Sequence, residues 1–152
     1  MEIKNILVAV DGTVTSDKAL DFALALSEKF GAALTVLNVS EALTVGVVSI
    51  EQAPSLGVGV NLPVNSKDFR QIHQQILSKS LDRAKMNNST VAVSSVLREG
   101  DPAFEIVSVA KEGGFDVVVV GHGGAGKMRE FFVGGVAEKV VHLAPCPVVI
   151  VR

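Results

Sequence analysis

The sequence predicts an α/β fold: a parallel sheet with helices on both faces. Three observations carry that reading. Short runs rich in valine, isoleucine and leucine, at residues 3–10, 33–39, 91–97, 116–120 and 147–151, alternate with stretches whose apolar residues recur at helical spacing. The runs are continuously apolar instead of alternating, as expected of strands buried on both faces. One of them ends in a glycine-rich stretch that leads straight into a helical pattern, an arrangement typical of strand–loop–helix units.

The elements follow in order. The run at 3–10 is too short for a helix and reads as a buried strand, turned by Asp11-Gly12-Thr13. Thr15 or Ser16 is expected to cap the first helix, with Asp17 in its first turn. Ala19, Phe22, Ala23, Leu26 and Phe30 form its apolar face, and Gly31 stops it as a C′ glycine. The second strand is 33–39. Residues 41–65 hold three glycines and two prolines among valines and leucines, with no charge between Glu51 and Lys67. That long apolar connection is expected to pack over a pocket or against a partner. A second helix spans 66–86, with Phe69, Ile72, Ile76, Leu77, Leu81 and Ala84 inward, His73 on its polar side and Asn87-Asn88 at its end. The third strand is 91–97. Asp101 caps the third helix and Pro102 occupies its first turn, where a missing N–H costs nothing. Ala103, Ile106, Val107 and Ala110 point inward, and Gly113-Gly114 ends it. The fourth strand, the glycine-rich stretch, a fourth helix over 136–144 and a last strand close the chain.

The bulk numbers narrow the function. A chain of 152 residues, 48% hydrophobic and 20% charged, suits one folded domain over 1–152. A net charge of −2, no basic tract, no Trp and no Tyr argue against a nucleic-acid partner. No apolar run approaches the roughly 20 residues that span a bilayer, and the first residues lack a signal-peptide layout. No membrane association and a cytoplasmic location are expected. A single cysteine, Cys146, excludes an internal disulfide and reads as a small buried apolar residue.

The chemistry concentrates in 121–136. Gly121-x2-Gly124-x9-Gly134-Gly135, after a strand and before a helix, is suited to hold an anion. Glycines let backbone N–H groups approach closely, and a helix start adds free donors and partial positive charge. Lys127 and Arg129 are either phosphate contacts or solvated loop charges. The spacing is neither a Walker A loop nor a dinucleotide fingerprint. His122 has no partner carboxylate or nucleophile at a supporting spacing, so no catalytic residue is assigned. His142 favours the end of the last helix.

This spacing resembles the nucleotide loop of the universal stress protein family, Gly-x2-Gly-x9-Gly-Ser/Thr, except that Gly135 stands where the family's ATP binders carry a hydroxyl. Residues 6–13, 98–103, 115–124 and the close of the chain, from Gly134-Gly135-Val136 to Pro145-Cys146-Pro147-Val148, extend the resemblance over nearly the whole length. It implies a Rossmann-like sheet of order 3-2-1-4-5 that brings Asp11 and the glycine loop to one crevice. It implies ATP, with Mg²⁺, held by Asp11, Val39, Gly121, Gly124, Gly134, Gly135 and Val136. Asp11 would hold the ribose or position the metal, unless it only forms an Asx-type turn. Val39 would offer backbone groups to an adenine edge, unless it is simply a strand end. It also implies a homodimer through the strand 148–151.

Two functions stay open. One is a nucleotide-responsive stress regulator, in which hydrolysis would be slow and incidental because the loop holds no strong general base. The other is a dimeric interaction protein without nucleotide, which Gly135 favours. One lost hydrogen bond to a charged group is worth about 1.5–3 kcal/mol, or about ten- to hundred-fold in affinity. A flavodoxin-like carrier is disfavoured by the lack of Trp and Tyr. An ATP-pyrophosphatase is disfavoured because Asp11-Gly12-Thr13-Val14 is not a Ser-Gly-Gly-x-Asp-Ser loop.

Overall fold

The computed structural model describes residues 1–41, 66–87, 90–123 and 134–152. In chain order the elements are β1 (Asn5–Ala9), α1 (Val14–Phe30), β2 (Ala33–Ser40), α2 (Ser66–Met86), β3 (Val93–Glu99), α3 (Pro102–Glu112), β4 (Val117–Gly121), α4 (Gly135–Leu143) and β5 (Val148–Val151). The connection at 42–65, Asn88, Gly124, Lys127 and Arg129 lie outside the described residues, as does the side chain of Phe69.

The strands form one sheet in the order β3-β2-β1-β4-β5, every pairing parallel. Successive side chains of a strand point to opposite faces, so each central strand feeds two cores. Ile6, Val8, Leu34, Val36, Val117 and Val119 pack under α1 and α2. Leu7, Leu37, Val118 and Val120 pack under α3 and α4. That double burial is why these strands read as unbroken apolar runs. β3 is an edge strand, and its Ser94 and Ser95 are exposed.

Local signals set most element ends. Gly31 adopts φ 65° and its N–H reaches the Ser27 carbonyl. The Asp101 side chain accepts the Phe104 N–H at 3.0 Å, ahead of Pro102. The cap of α1 is Thr13, not Thr15 or Ser16. Its hydroxyl accepts the Ser16 N–H at 3.2 Å because Asp11 fixes Thr13 in place. Phe22 and Phe30 are 42% and 52% exposed, not inward. The stripe that meets the sheet is instead Ala19, Leu20, Ala23 and Leu24, whose small alanines let the helix lie close. Ile72, also expected inward, is half exposed.

At the opposite edge of the strands from the loop, the Asp116 carboxylate accepts the backbone N–H groups of Lys4 and Asn5, at 2.8 and 2.9 Å, and ties β1 to β4. Cys146 is half-buried against the α3/α4 core. Burial, then the nearby Asp116 charge, pushes its thiol up, away from a reactive thiolate. His142 lies in the last turn of α4. Among the described residues no helix is long and apolar enough to cross a membrane.

Candidate functional site

In open parallel sheets, ligands sit beyond the carboxyl ends of the strands, where strand order reverses. Here β1 is flanked by β2 and β4, whose crossovers leave in opposite directions, and a cavity of about 350 Å³ opens there. Asp11, Val39, Gly121, Gly134, Gly135 and Val136 all line it. Of the residues expected to hold the nucleotide, only Gly124 lies outside the described part.

Asp11 is held in an Asx turn. Its Oδ1 accepts the Thr13 N–H at 3.0 Å and the Thr13 hydroxyl at 2.6 Å. Thr13 has therefore spent its proton on Asp11, so the Thr15 hydroxyl, 3.1 Å away, donates to Thr13 Oγ1. A chain of hydroxyls thus fixes the carboxylate at the cavity wall through Oδ1.

The glycines divide by role. A Cβ on Gly121 would sit 2.9 Å from the Thr15 carbonyl carbon and 3.1 Å from the Ser16 nitrogen, both backbone atoms. Glycine there lets the start of α1 rest on the end of β4. A Cβ on Gly134 would sit 2.7 Å from the His122 carbonyl oxygen, which accepts the Gly134 N–H at 3.0 Å. Gly135 differs, because nothing lies within 4 Å of its Cβ position. Gly134 is the N-cap of α4 and supplies no side-chain cap. The first backbone bond of α4 runs from Glu138 N–H to the Gly134 carbonyl. The N–H groups of Gly135, Val136 and Ala137 precede it, and these residues line the cavity. An uncapped helix start facing a cavity attracts anions.

His122 is 7% exposed, its Nε2 has no hydrogen-bond partner among the described residues, and the residue does not line the cavity. His73 does line it, contrary to the expectation of an exposed polar-side residue. Its Nδ1 is 2.6 Å from Oδ1 of Asn38, which is 1% exposed. The signal was in the sequence: Asn38 interrupts the apolar run Leu34-Thr35-Val36-Leu37-Asn38-Val39, and a buried amide needs partners. Sequence reasoning also missed Thr15 and Glu41 on the cavity wall.

Comparison with known proteins agrees with the architecture. The model of the universal stress protein family matches residues 2–152. Universal stress protein YxiE of Bacillus subtilis is 34% identical over 151 residues, covering 96% of this chain and 97% of that one. A universal stress protein solved in complex with cAMP superposes with a TM-score of 0.70 at 21% identity, over 100% of this chain and 98% of that one. The universal stress protein from Archaeoglobus fulgidus, solved in complex with dAMP, superposes with a TM-score of 0.67 at 20% identity, over the full length of both.

Proposed function

The chain belongs to the universal stress protein family, and from that premise we propose that it binds ATP with Mg²⁺ at the carboxyl end of its sheet and acts as a nucleotide-responsive stress regulator. The observation that carries this reading is the uncapped start of α4, whose N–H groups belong to residues lining the same cavity as Asp11 and Val39. Adenine nucleotides occupy the related proteins solved with cAMP and dAMP.

The residues present suit the ligand. The N–H groups of Gly135, Val136 and Ala137, with Gly121 and Gly134 at the described ends of the loop, take the phosphates. Val39 takes the adenine edge through its backbone. Asp11 offers Oδ2 to the ribose or to Mg²⁺. That metal is commonly held by one or two carboxylates plus phosphates and water, and no group of three or more metal-ligating side chains gathers among the described residues. When bound, Mg²⁺ supplies charge neutralisation between phosphates. The chain's own residues bind and orient.

Thermal unfolding tests this reading. ATP–Mg²⁺ at about 100 times its Kd stabilises a folded protein by about 2.7 kcal/mol, a rise of about 5–10 °C for a domain of this size. An unchanged midpoint at millimolar nucleotide contradicts it.

Gly135 favours a second reading, an interaction protein without nucleotide, since the position lacks the hydroxyl. Both readings include a homodimer through Val148–Val151. β5 ends the sheet, pairs with β4 on one side and is half-buried along its length, and a twin strand across a two-fold axis would cover that edge. Light scattering at micromolar concentration is expected to give a dimer mass; a monomer mass rules the pairing out.

A further inference from the structure

Thr13, Thr15 and Ser16 all line the cavity, and their hydroxyls are committed to different degrees. The Thr13 hydroxyl donates to Oδ1 of Asp11 at 2.6 Å. The Ser16 hydroxyl donates to the Thr13 carbonyl at 2.9 Å, and Ser16 is only 3% exposed. Both distances are those of well-formed bonds. The Thr15 hydroxyl reaches Thr13 Oγ1 at 3.1 Å, beyond the about 2.5–3.0 Å of ordinary O–H···O bonds.

That slack bond is also the one whose loss costs least. Thr13 Oγ1 accepts the Ser16 N–H at 3.2 Å as well. If the Thr15 proton turns away, Thr13 keeps that bond and its bond to Asp11, so no polar atom is orphaned. A hydroxyl proton turns about its C–O bond without moving a heavy atom. Of the three hydroxyls, Thr15 therefore holds the proton that a ligand can claim.

The place of Thr15 says which part of a ligand it meets. A Cβ on Gly121 would lie 2.9 Å from the Thr15 carbonyl carbon, so this residue rests on the end of β4. α1 packs on one face of the sheet and α4 on the other, and the starts of both line the cavity. A phosphate taken by the N–H groups of Gly135, Val136 and Ala137 at the end of β4 is faced by Thr15 from the opposite side of that strand.

We propose that Thr15 is a phosphate-binding residue, its hydroxyl leaving Thr13 to donate to a phosphate oxygen of the bound nucleotide. This rests on the nucleotide reading above and adds to it a side-chain donor on α1, outside the glycine loop. The exchange is favourable because a hydrogen bond to an ionised oxygen is shorter and roughly twice as strong as one between neutral groups. Since one weak bond is given up for it, the gain falls at the low end for such bonds, about tenfold in affinity.

The test is to titrate the full chain with ATP and with adenosine, both with Mg²⁺, in the wild type and three variants. Thr15→Val keeps the shape and loses the hydroxyl. It is expected to bind ATP about tenfold more weakly, with adenosine within about twofold of the wild type. Thr15→Ser keeps the hydroxyl and is expected to keep the ATP affinity. Thr15→Ala adds no bulk and is expected to repeat the loss, which keeps the test readable if Thr15→Val does not fold. ATP affinity that survives removal of the hydroxyl overturns the proposal. So does a loss in Thr15→Ser as large as in the other variants, or an equal loss of ATP and adenosine. Each of these outcomes, in a wild type that binds ATP, sinks this proposal alone. A wild type that binds neither ligand sinks the nucleotide reading with it.

Discussion

Of the three helix starts that border the cavity, those of α3 and α4 are finished differently. α3 begins at Pro102 behind Asp101, whose carboxylate closes on the Phe104 N–H at 3.0 Å. α4 begins at Gly135 behind Gly134, which has no side chain to close anything. Pro102 and Gly135 both line the cavity, so one rim presents a helix start capped by a side chain and one without such a cap among the described residues. A cap at position 134 is also excluded sterically, because a Cβ there meets the His122 carbonyl oxygen at 2.7 Å. The difference teaches that α3 is finished by its own N-cap side chain, whereas among the described residues α4 has no side-chain cap. A cap is worth about 1 kcal/mol, and its absence where a ligand would sit is the economical explanation.

The substitution that acts most strongly on this contrast is Gly135→Ser. Its Cβ enters open space, and the new hydroxyl adds a bond to a phosphate oxygen. ATP affinity is expected to rise by about ten- to hundred-fold with no loss of thermal stability. Titration of both proteins checks it, and an unchanged Kd means the account of position 135 is wrong.

Gly121→Ala comes next. Its Cβ meets the Thr15 and Ser16 backbone at 2.9–3.1 Å, and overpacking of this kind costs about 1–3 kcal/mol. Urea unfolding of the nucleotide-free protein is expected to show that loss. If stability is unaffected, Gly121 serves the ligand and not the seating of α1.

Asp101→Ala removes the cap of α3 and is expected to lower stability by about 1 kcal/mol while leaving ATP affinity within about twofold. A drop in affinity larger than the stability loss would mean that the two helix starts are not separable.

The smallest effect is read in acid. The backbone N–H groups of Lys4 and then Asn5 hold the Asp116 carboxyl below its ordinary range. A carboxyl lowered in the folded state stabilises above its unfolded pKa, about 3.9. That contribution is lost as pH falls through the folded value. Asp21 is lowered as well, first by its hydrogen bond to Arg83, so Asp116 accounts for only part of the acid limb. Asp116→Asn is expected to flatten that limb slightly in unfolding midpoints measured from pH 3 to 7. Because Asp116 lies at the opposite end of β4 from the cavity, neutral ATP affinity should not move.

Much of this was legible in the sequence because it is local. Gly31, the Asp101-Pro102 pair and the strand–glycine–helix order around 121–136 are signals carried by neighbours in the chain. Sheet order was not local and came from family resemblance. The failures share a cause. Phe22, Phe30 and Ile72 were placed inward by hydrophobicity, but which stripe of a helix meets the sheet depends on how closely its small residues let it approach. His73 was placed outward by polarity, whereas its partner Asn38 lies in another element, 35 residues away in the chain. Thr13 displaced Thr15 and Ser16 as the cap because Asp11 had already fixed its geometry.

The most direct measurement is a calorimetric titration of nucleotide-stripped protein with ATP and Mg²⁺. Binding with a micromolar Kd is the predicted result, and it would mean that the open start of α4 suffices without a hydroxyl at position 135. No heat and no competition up to millimolar ATP would contradict the account, and the uncapped helix would then need another ligand or none.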